Sequence, residues 1–340
     1  MIEAGHDSRR VTHMRPIRAL LDVLPRTVSV DIPRDDPRAD VIVGGQELDV
    51  KWVGEGSLGA VVSLLRSTEH KPDVVVARQL SPGAKDALSE AGVGWIDETG
   101  AAEVAVGTII VSRSGTRVPR DDRMKRWTPA VLGVAEALLF GVDATGVAVQ
   151  QATGLSSGSC TNALRFLAGL GLLESNAARG RDSARRVRDV DSLLDTYASA
   201  ARQHPAGAQL QIGVTWRDPL AGLSELGSRW SEAGVSWAAT GAVAASVIAP
   251  LLTNVTSAEV YIDTETMAGL GAAAAAADLR SIEGGRLTLL PFPTVVTRRL
   301  AAATDDIVLA PWPRVFVDLQ RTGVRGEEAA EHLREVACAR

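Results

Sequence analysis

The stretch from Thr128 to Val190 constrains the fold most, because its helix breakers leave room for three short helices and a turn-rich tail. Pro129 suits the first turn of a helix through Val131, Leu132, Val134, Ala135, Leu138 and Leu139, apolar at the three-and-four spacing of one buried face and closed by Gly141. A second helix from Gly146 ends on Gly154, as the first helix of a helix-turn-helix does. Residues 155–159 then supply hydroxyl caps for a third helix from Cys160 to Leu170, with Leu164, Leu167 and Leu170 on one face. Ser157, Ser159, Thr161, Asn162 and Arg165 are the polar residues left for its early, exposed face. After Gly171, Leu172 to Glu174 reads as a strand, Ala178 to Arg185 as a loop, and Arg186 to Val190 as the returning strand.

Charge singles out the borders of this stretch. The formal net charge of −5 argues, taken alone, against a polyanionic partner. Its distribution reverses that argument. Residues 113–126 hold Arg113, Arg117, Arg120, Arg123, Lys125 and Arg126 against Asp121 and Asp122, a local +4. Residues 179–188 hold Arg179, Arg181, Arg185, Arg186 and Arg188 against Asp182, again +4, so the remainder carries −13. Two basic islands on an acidic body make an electrostatic footprint for nucleic acid, whereas the alternative is a solvated linker and a solvated loop.

The run TNALRFLAGLGLLESNAARGRDSARRVRD resembles the recognition helix and wing of winged helix-turn-helix regulators of the MarR-like type. In such modules the recognition helix enters the major groove while wing arginines touch phosphate or the minor groove. The resemblance implies DNA contacts from Ser157, Ser159, Thr161, Asn162 and Arg165 on the helix, and from Arg179, Arg181, Arg185, Arg186 and Arg188 on the wing. A winged helix used for protein contacts is the competing reading. Cys160, near the helix start, is either a redox-sensitive thiol or a small packing residue.

Residues 15–112 alternate helix and strand signals. Pro16 to Val23 reads as a helix, TVSVDIP, ADVIVGG and ELDVKWV as short strands, and Gly44-Gly45 as a hairpin turn. A helix from Ser57 to Arg66, the strand DVVVA, a helix from Pro82 to Ala91 and the strand VGWID follow. Gly54, Gly56 and Gly59 match a dinucleotide fingerprint. That reading is rejected because Leu48 to Trp52 alternates in polarity, whereas a Rossmann first strand is continuously apolar.

Asp40 followed by Asp49-Val50-Lys51 is the competing motif: two carboxylates on adjacent strands can hold Mg²⁺ while a lysine positions the attacking water. This resembles the PD-(D/E)xK restriction-endonuclease-like fold, which implies catalytic roles for Asp40, Asp49 and Lys51 if the domain is active. The first helix supplies no glutamate to complete such a site. The alternative is a scaffold in which Asp49 and Lys51 form an ion pair.

Ser81, Pro82, Ala84, Leu88, Gly92, Trp95, Asp97 and Gly100 resemble the N-terminal region of AbiEi-type regulators, antitoxin-like proteins of type IV toxin–antitoxin systems. Gly100-Ala101 departs from the Gly-Asn often found there. Asp318-Leu319, Gly323 to Arg325 and Glu328 to Ala330 resemble the strand-turn-helix ending of the same family. Thr240-Gly241 and the strand AEVYID look like the start of a nucleotidyltransferase fold, whose metal chemistry needs closely spaced carboxylates. Glu259, Asp263 and Glu265 are the carboxylates available, and Ser246 lies outside the usual serine position, so a non-catalytic scaffold is expected.

The expected fold class is therefore α/β and α+β multidomain. It comprises a restriction-endonuclease-like domain (15–112), a winged helix (127–191) and a nucleotidyltransferase-like domain (209–337). Scattered histidines and two distant cysteines, Cys160 and Cys338, predict no metal site and no disulfide framework, and no cofactor is expected. No apolar run is long enough to span a bilayer, and no apolar run backs the charged N-terminus, so a cytoplasmic chain without a membrane partner is expected. Double-stranded DNA is the leading partner, with a toxin protein and a second copy of the chain as further candidates. Sequence-specific transcriptional regulation is the leading function, a DNA-targeted Mg²⁺-dependent nuclease the second, and a toxin-binding antitoxin the third.

Overall fold

The computed structural model describes residues 15–25, 27–33, 40–68, 70–107, 109–115, 127–175, 185–204, 207–251 and 255–339. The chain is a mixed α/β protein with several sheets, divided into two compact units, Met1–Asp121 and Asp122–Arg340.

The first unit begins with helix α1 (residues 15–23) and a small antiparallel sheet of β1 (Val30–Asp31), β2 (Val41–Val43) and β3 (Gln46–Leu48). Gly44 and Gly45 turn β2 into β3 with positive φ angles of 59° and 85°, a conformation that glycine adopts at little steric cost. A five-stranded sheet follows, in the order β4 (Val50–Trp52), β5 (Val74–Ala77), β6 (Gly94–Asp97), β7 (Ala102–Val106) and β8 (Ile109–Arg113). Strands β4, β5 and β6 run parallel, which requires crossovers, and α2 (Leu58–Ser67) and α3 (Pro82–Glu90) provide them. Both helices start on a serine cap: Ser57 accepts from the Ala60 amide and Ser81 from that of Ala84. Strand β5 is buried on both faces. Val74 and Val76 pack with Ile17, Leu20 and Leu48, while Val75 and Ala77 pack with Val61, Ala84 and Leu88.

Two sequence expectations change here. The run ELDVKWV is not one strand but two, in different sheets, because Asp49 breaks it: its amide donates to the Asp73 carboxylate at 2.8 Å and its carbonyl accepts from the Asp73 and Val74 amides. The glycine turn after β4 does lie in a strand-turn-helix-parallel strand unit. The alternating polarity that argued against this context reflects an edge position rather than an antiparallel hairpin. The turn nevertheless explains itself. A Cβ on Gly56 would come within 2.6 Å of the Gln79 carbonyl oxygen, and Glu55 in the same turn pairs with Arg78 at 3.3 Å.

The second unit opens with α4 (Pro129–Leu139), α5 (Gly146–Thr153), α6 (Ser157–Gly169), a two-stranded antiparallel ribbon of β9 (Leu173–Ser175) and β10 (Arg185–Val187), and α7 (Val190–Gln203). Asp189, expected in the returning strand, is instead the N-cap of α7 and accepts from the Asp191 and Ser192 amides, so Val190 is helical. Helix α4 departs from its expected single apolar face: every residue from Val131 to Leu139 is buried, as in a helix enclosed on all sides.

A six-stranded mixed sheet follows. Its order is β11 (Leu210–Ile212), β14 (Leu287–Pro291), β13 (Ala258–Ile262), β12 (Trp237–Thr240), β16 (Ile307–Leu309) and β15 (Ala302–Thr304). Helices α8 (Pro219–Glu232), α9 (Gly241–Ile248), α10 (Met267–Ala276), α11 (Val295–Leu300), α12 (Trp312–Leu319) and α13 (Val324–Cys338) complete the unit. One apolar core joins Val134, Leu164 and Leu194 to Leu223, Val260 and Phe316. The expected strand at Asp318-Leu319 is the end of helix α12. Its run of Val315, Phe316 and Val317, β-branched and aromatic, suggests a strand, but Pro313 in the first turn favours a helix, and Arg314 and Asp318 share one helical face although both are buried.

Candidate functional site

The candidate surface is built on α5 and α6. Thr145 caps α5 by accepting from the Ala148 amide at 3.2 Å, and Gly154 ends it in the left-handed conformation at φ 69°. Ser156 then caps α6 by accepting from the Ser159 amide at 3.2 Å. Cys160, Ala163, Leu164 and Leu167 face inward and fix the helix to the core. Ser157, Thr161, Asn162 and Arg165 are consequently exposed along one face, with Ser159 half-buried beside them. The Arg165 guanidinium donates to the Asn162 side-chain oxygen at 3.2 Å, so the two long polar groups stand together. Helix α6 contains no acidic residue, which leaves its positive N-terminal end uncompensated by side-chain charge.

The basic residues are distributed unevenly. Arg186 is exposed but pairs across the ribbon with Glu174 at 2.5 Å, which offsets its charge. Arg188 is exposed and Arg185 half-buried. Arg179 and Arg181 lie outside the described residues, as do Arg117, Arg120, Arg123, Lys125 and Arg126 of the other island. Arg113 is described, and its guanidinium donates to the Asp22 and Val23 carbonyls at the end of α1. Cys160 is buried, with its sulfur 3.8 Å from the Thr153 hydroxyl, which fits the packing reading better than an accessible thiol.

In the first unit the structure gathers Asp40, Asp49 and Lys51. The lysine Nζ lies 2.6 Å from Asp49 Oδ1 and 3.6 Å from Asp40 Oδ2, and Asp40 also accepts from the Val50 amide at 3.0 Å. Burial disfavours the lysine charge, but the hydrogen bond to Asp49 and the charges of both carboxylates outweigh it and hold Lys51 above its ordinary pKa. Among the described residues no group of three histidine, cysteine or acidic side chains is placed to hold a metal ion.

The acids expected in the second unit do not assemble into a metal centre either. Glu259 is on β13, where its carboxylate faces Gly241: a Cβ on that glycine would come within 2.6 Å of it. Burial and the nearby Asp318 charge raise Glu259 to about 7. Asp263 lies just past the strand and pairs with Arg298, and the Ser246 hydroxyl donates to the Val243 carbonyl at 2.7 Å.

Sequence reasoning missed a polar network in this unit. Glu136, 1% exposed in the middle of α4, accepts on Oε2 from the Tyr197 hydroxyl at 3.1 Å and the Thr297 hydroxyl at 2.9 Å. Asp318 accepts from the Thr240 and Tyr261 hydroxyls, both at 2.6 Å, and from Arg314 at 2.5 Å. The available signals were a lone glutamate inside the apolar run of α4 and an Arg-Asp pair four residues apart in α12.

Comparison with known proteins gives no relative: no family model, curated protein or solved structure matches the chain. Among the described residues, no helix is long and apolar enough to cross a membrane.

Proposed function

We propose that the chain is a sequence-specific DNA-binding regulator. In this reading α4 to α6 and the β9–β10 ribbon act as a winged helix, the first unit is a nuclease-like scaffold, and the six-stranded sheet belongs to a nucleotidyltransferase-like scaffold. The observation that carries the reading is the face of α6: Ser157, Thr161, Asn162 and Arg165 are exposed together while its apolar face is locked into the core. Such a face offers donors and acceptors to base edges, where sequence information resides, while arginines on a wing neutralise phosphates. Selection from a pool of randomised duplexes tests it. A single enriched motif is expected, and a bound pool as random as the input contradicts the proposal.

A second reading, a metal-dependent nuclease, is favoured by one observation, the convergence of Asp40, Asp49 and Lys51. The close Lys51–Asp49 ion pair weighs against it, as does the lack, among the described residues, of a third acid placed to join a metal site. Purified protein with Mg²⁺ or Mn²⁺ is therefore expected to leave duplex and single-stranded DNA intact. Cleavage that Lys51→Ala abolishes would overturn the scaffold reading.

A further inference from the structure

A cavity of about 190 Å³ opens in the second unit beside Glu136, and its walls come from α4, the first helix of the expected DNA-binding segment, and from elements that follow that segment. Leu132 and Glu136 of α4, Tyr197 of α7, Tyr261 of β13 and Arg314 of α12 line it, with Phe292 and two prolines opposite. Glu136 is the unusual group. Its Oε1 is buried and has no hydrogen-bond partner among the described residues, a costly state for a carboxyl group. The rest of the lining narrows what could supply the missing donor. Arg314 is matched by Asp318 at 2.5 Å, which offsets its charge, and the other arginine of the lining, Arg321, donates to the Ala201 carbonyl at 3.3 Å. The Tyr261 and Phe292 rings lie 5.5 Å apart at 31°, and with Pro291 and Pro293 they make flat apolar walls. The volume falls below the roughly 300–1,000 Å³ typical of sites for drug-sized ligands.

The surroundings connect this cavity to α5. Thr294, at the cavity, caps the short helix α11 by accepting from the Thr297 amide at 3.0 Å, and Thr297 in turn donates to Glu136. On the same helix, Val296 fills the space above Gly133 of α4, where a Cβ would come within 2.5 Å of it. Arg299, two residues after Thr297, donates to the Ala152 and Gln151 carbonyls at 2.9 and 3.2 Å, at the C-terminal end of α5. One helix thus touches both the cavity and the element that precedes α6.

We propose that this cavity binds a small, uncharged, planar molecule with an N–H donor, a nucleobase or aryl amide, which donates to Glu136, and that its occupation alters DNA binding through α11 and α5. The regulatory half rests on the reading of α6 as the DNA-facing helix, whereas the binding half does not.

Adenine and benzamide serve as probes at millimolar concentration. Calorimetry with the whole chain at pH 8, where Glu136 is ionised and its Oε1 can only accept, should show binding of at least one, and Glu136→Gln, which turns an amide donor toward the ligand, should weaken it about tenfold or more. Hydrogen exchange on the wild-type protein should show the bound probe slowing amides in residues 146–153 and 294–300, a result that needs no variant to fold. The bound probe should change affinity for the selected duplex about tenfold. Binding of neither probe, or binding that leaves exchange in both segments unchanged, overturns the site. Binding with the expected protection but unchanged DNA affinity overturns the regulatory half alone. A protein that binds the probe yet selects no DNA keeps the site and loses both the regulatory half and the DNA-binding reading.

Discussion

Asp318→Ala is expected to destabilise the second unit by about 3–5 kcal/mol, because it strands the buried Arg314 guanidinium without its counter-ion. Arg314 and Asp318 are 5% and 4% exposed, so water in the adjoining cavity replaces the lost partner only in part. The same change removes the acceptor of the Thr240 and Tyr261 hydroxyls, adding unsatisfied donors to the loss. Urea denaturation of the variant and the wild type measures the difference. A loss below about 1 kcal/mol, the scale of a surface pair, would mean that Arg314 is not held by Asp318 in solution.

Glu136 makes the second large prediction, and its sign is opposite to that of an ordinary ion-paired acid. Burial raises this carboxyl to about 7 from an ordinary 4.5, with the Arg314 charge and the Thr297 and Tyr197 hydrogen bonds only partly opposing the rise. Between those values the folded chain holds a proton that the unfolded chain has released, so stability falls as pH rises. The contribution is fully present below about pH 4.5 and gone above about pH 7, an amplitude of about 3 kcal/mol at about 1.4 kcal/mol per pH unit. Glu259 titrates in the same window, so the informative quantity is the difference between wild type and Glu136→Gln. Urea midpoints at pH 5 and pH 8 should separate further in the wild type than in the variant. Equal separations would show that Glu136 is ionised in the folded protein at both values.

The parts of this fold that the sequence displays are those in which local chemistry decides the outcome. Pro129, Gly141, Gly154 and the serines before α6 punctuate helices through their own backbone preferences and side-chain caps, and the helices follow them. Strands β7 and β8 were less visible. Ala102, Val104 and Val111 are buried while Glu103 and Ala105 are exposed, but alanine at exposed and buried positions alike blurs the alternation. The split at Asp49 depends on Asp73, twenty-four residues away, and no local pattern reveals such a pairing. Helix α12 was misread because Val315, Phe316 and Val317 have high strand propensity, although Arg314 and Asp318 stand at helical spacing.

The candidate sites divide along the same line. The α6 face was legible because helical spacing alone separates Thr161, Asn162 and Arg165 from Cys160 and Leu164. Meeting of Asp40 with Lys51 was legible only in part, because the β2–β3 hairpin accounts for Asp40 beside Asp49 whereas Lys51 belongs to β4 in the other sheet. The Glu136 network was not, since it joins α4, α7 and α11, whose residues lie 61 and 161 positions apart.

The most direct test of DNA recognition is titration of the selected duplex and a scrambled one at several salt concentrations, with wild type, Asn162→Ala, Arg165→Ala and the double change of Arg185 and Arg188 to alanine. The double arginine change should weaken both duplexes alike and flatten the plot of log affinity against log salt by about 2. Each α6 substitution that removes a bidentate base contact should instead cost about 1–3 kcal/mol on the selected duplex and almost nothing on the scrambled one. Losses from Asn162→Ala and Arg165→Ala that are equal on both duplexes, or absent from both, would contradict recognition through α6.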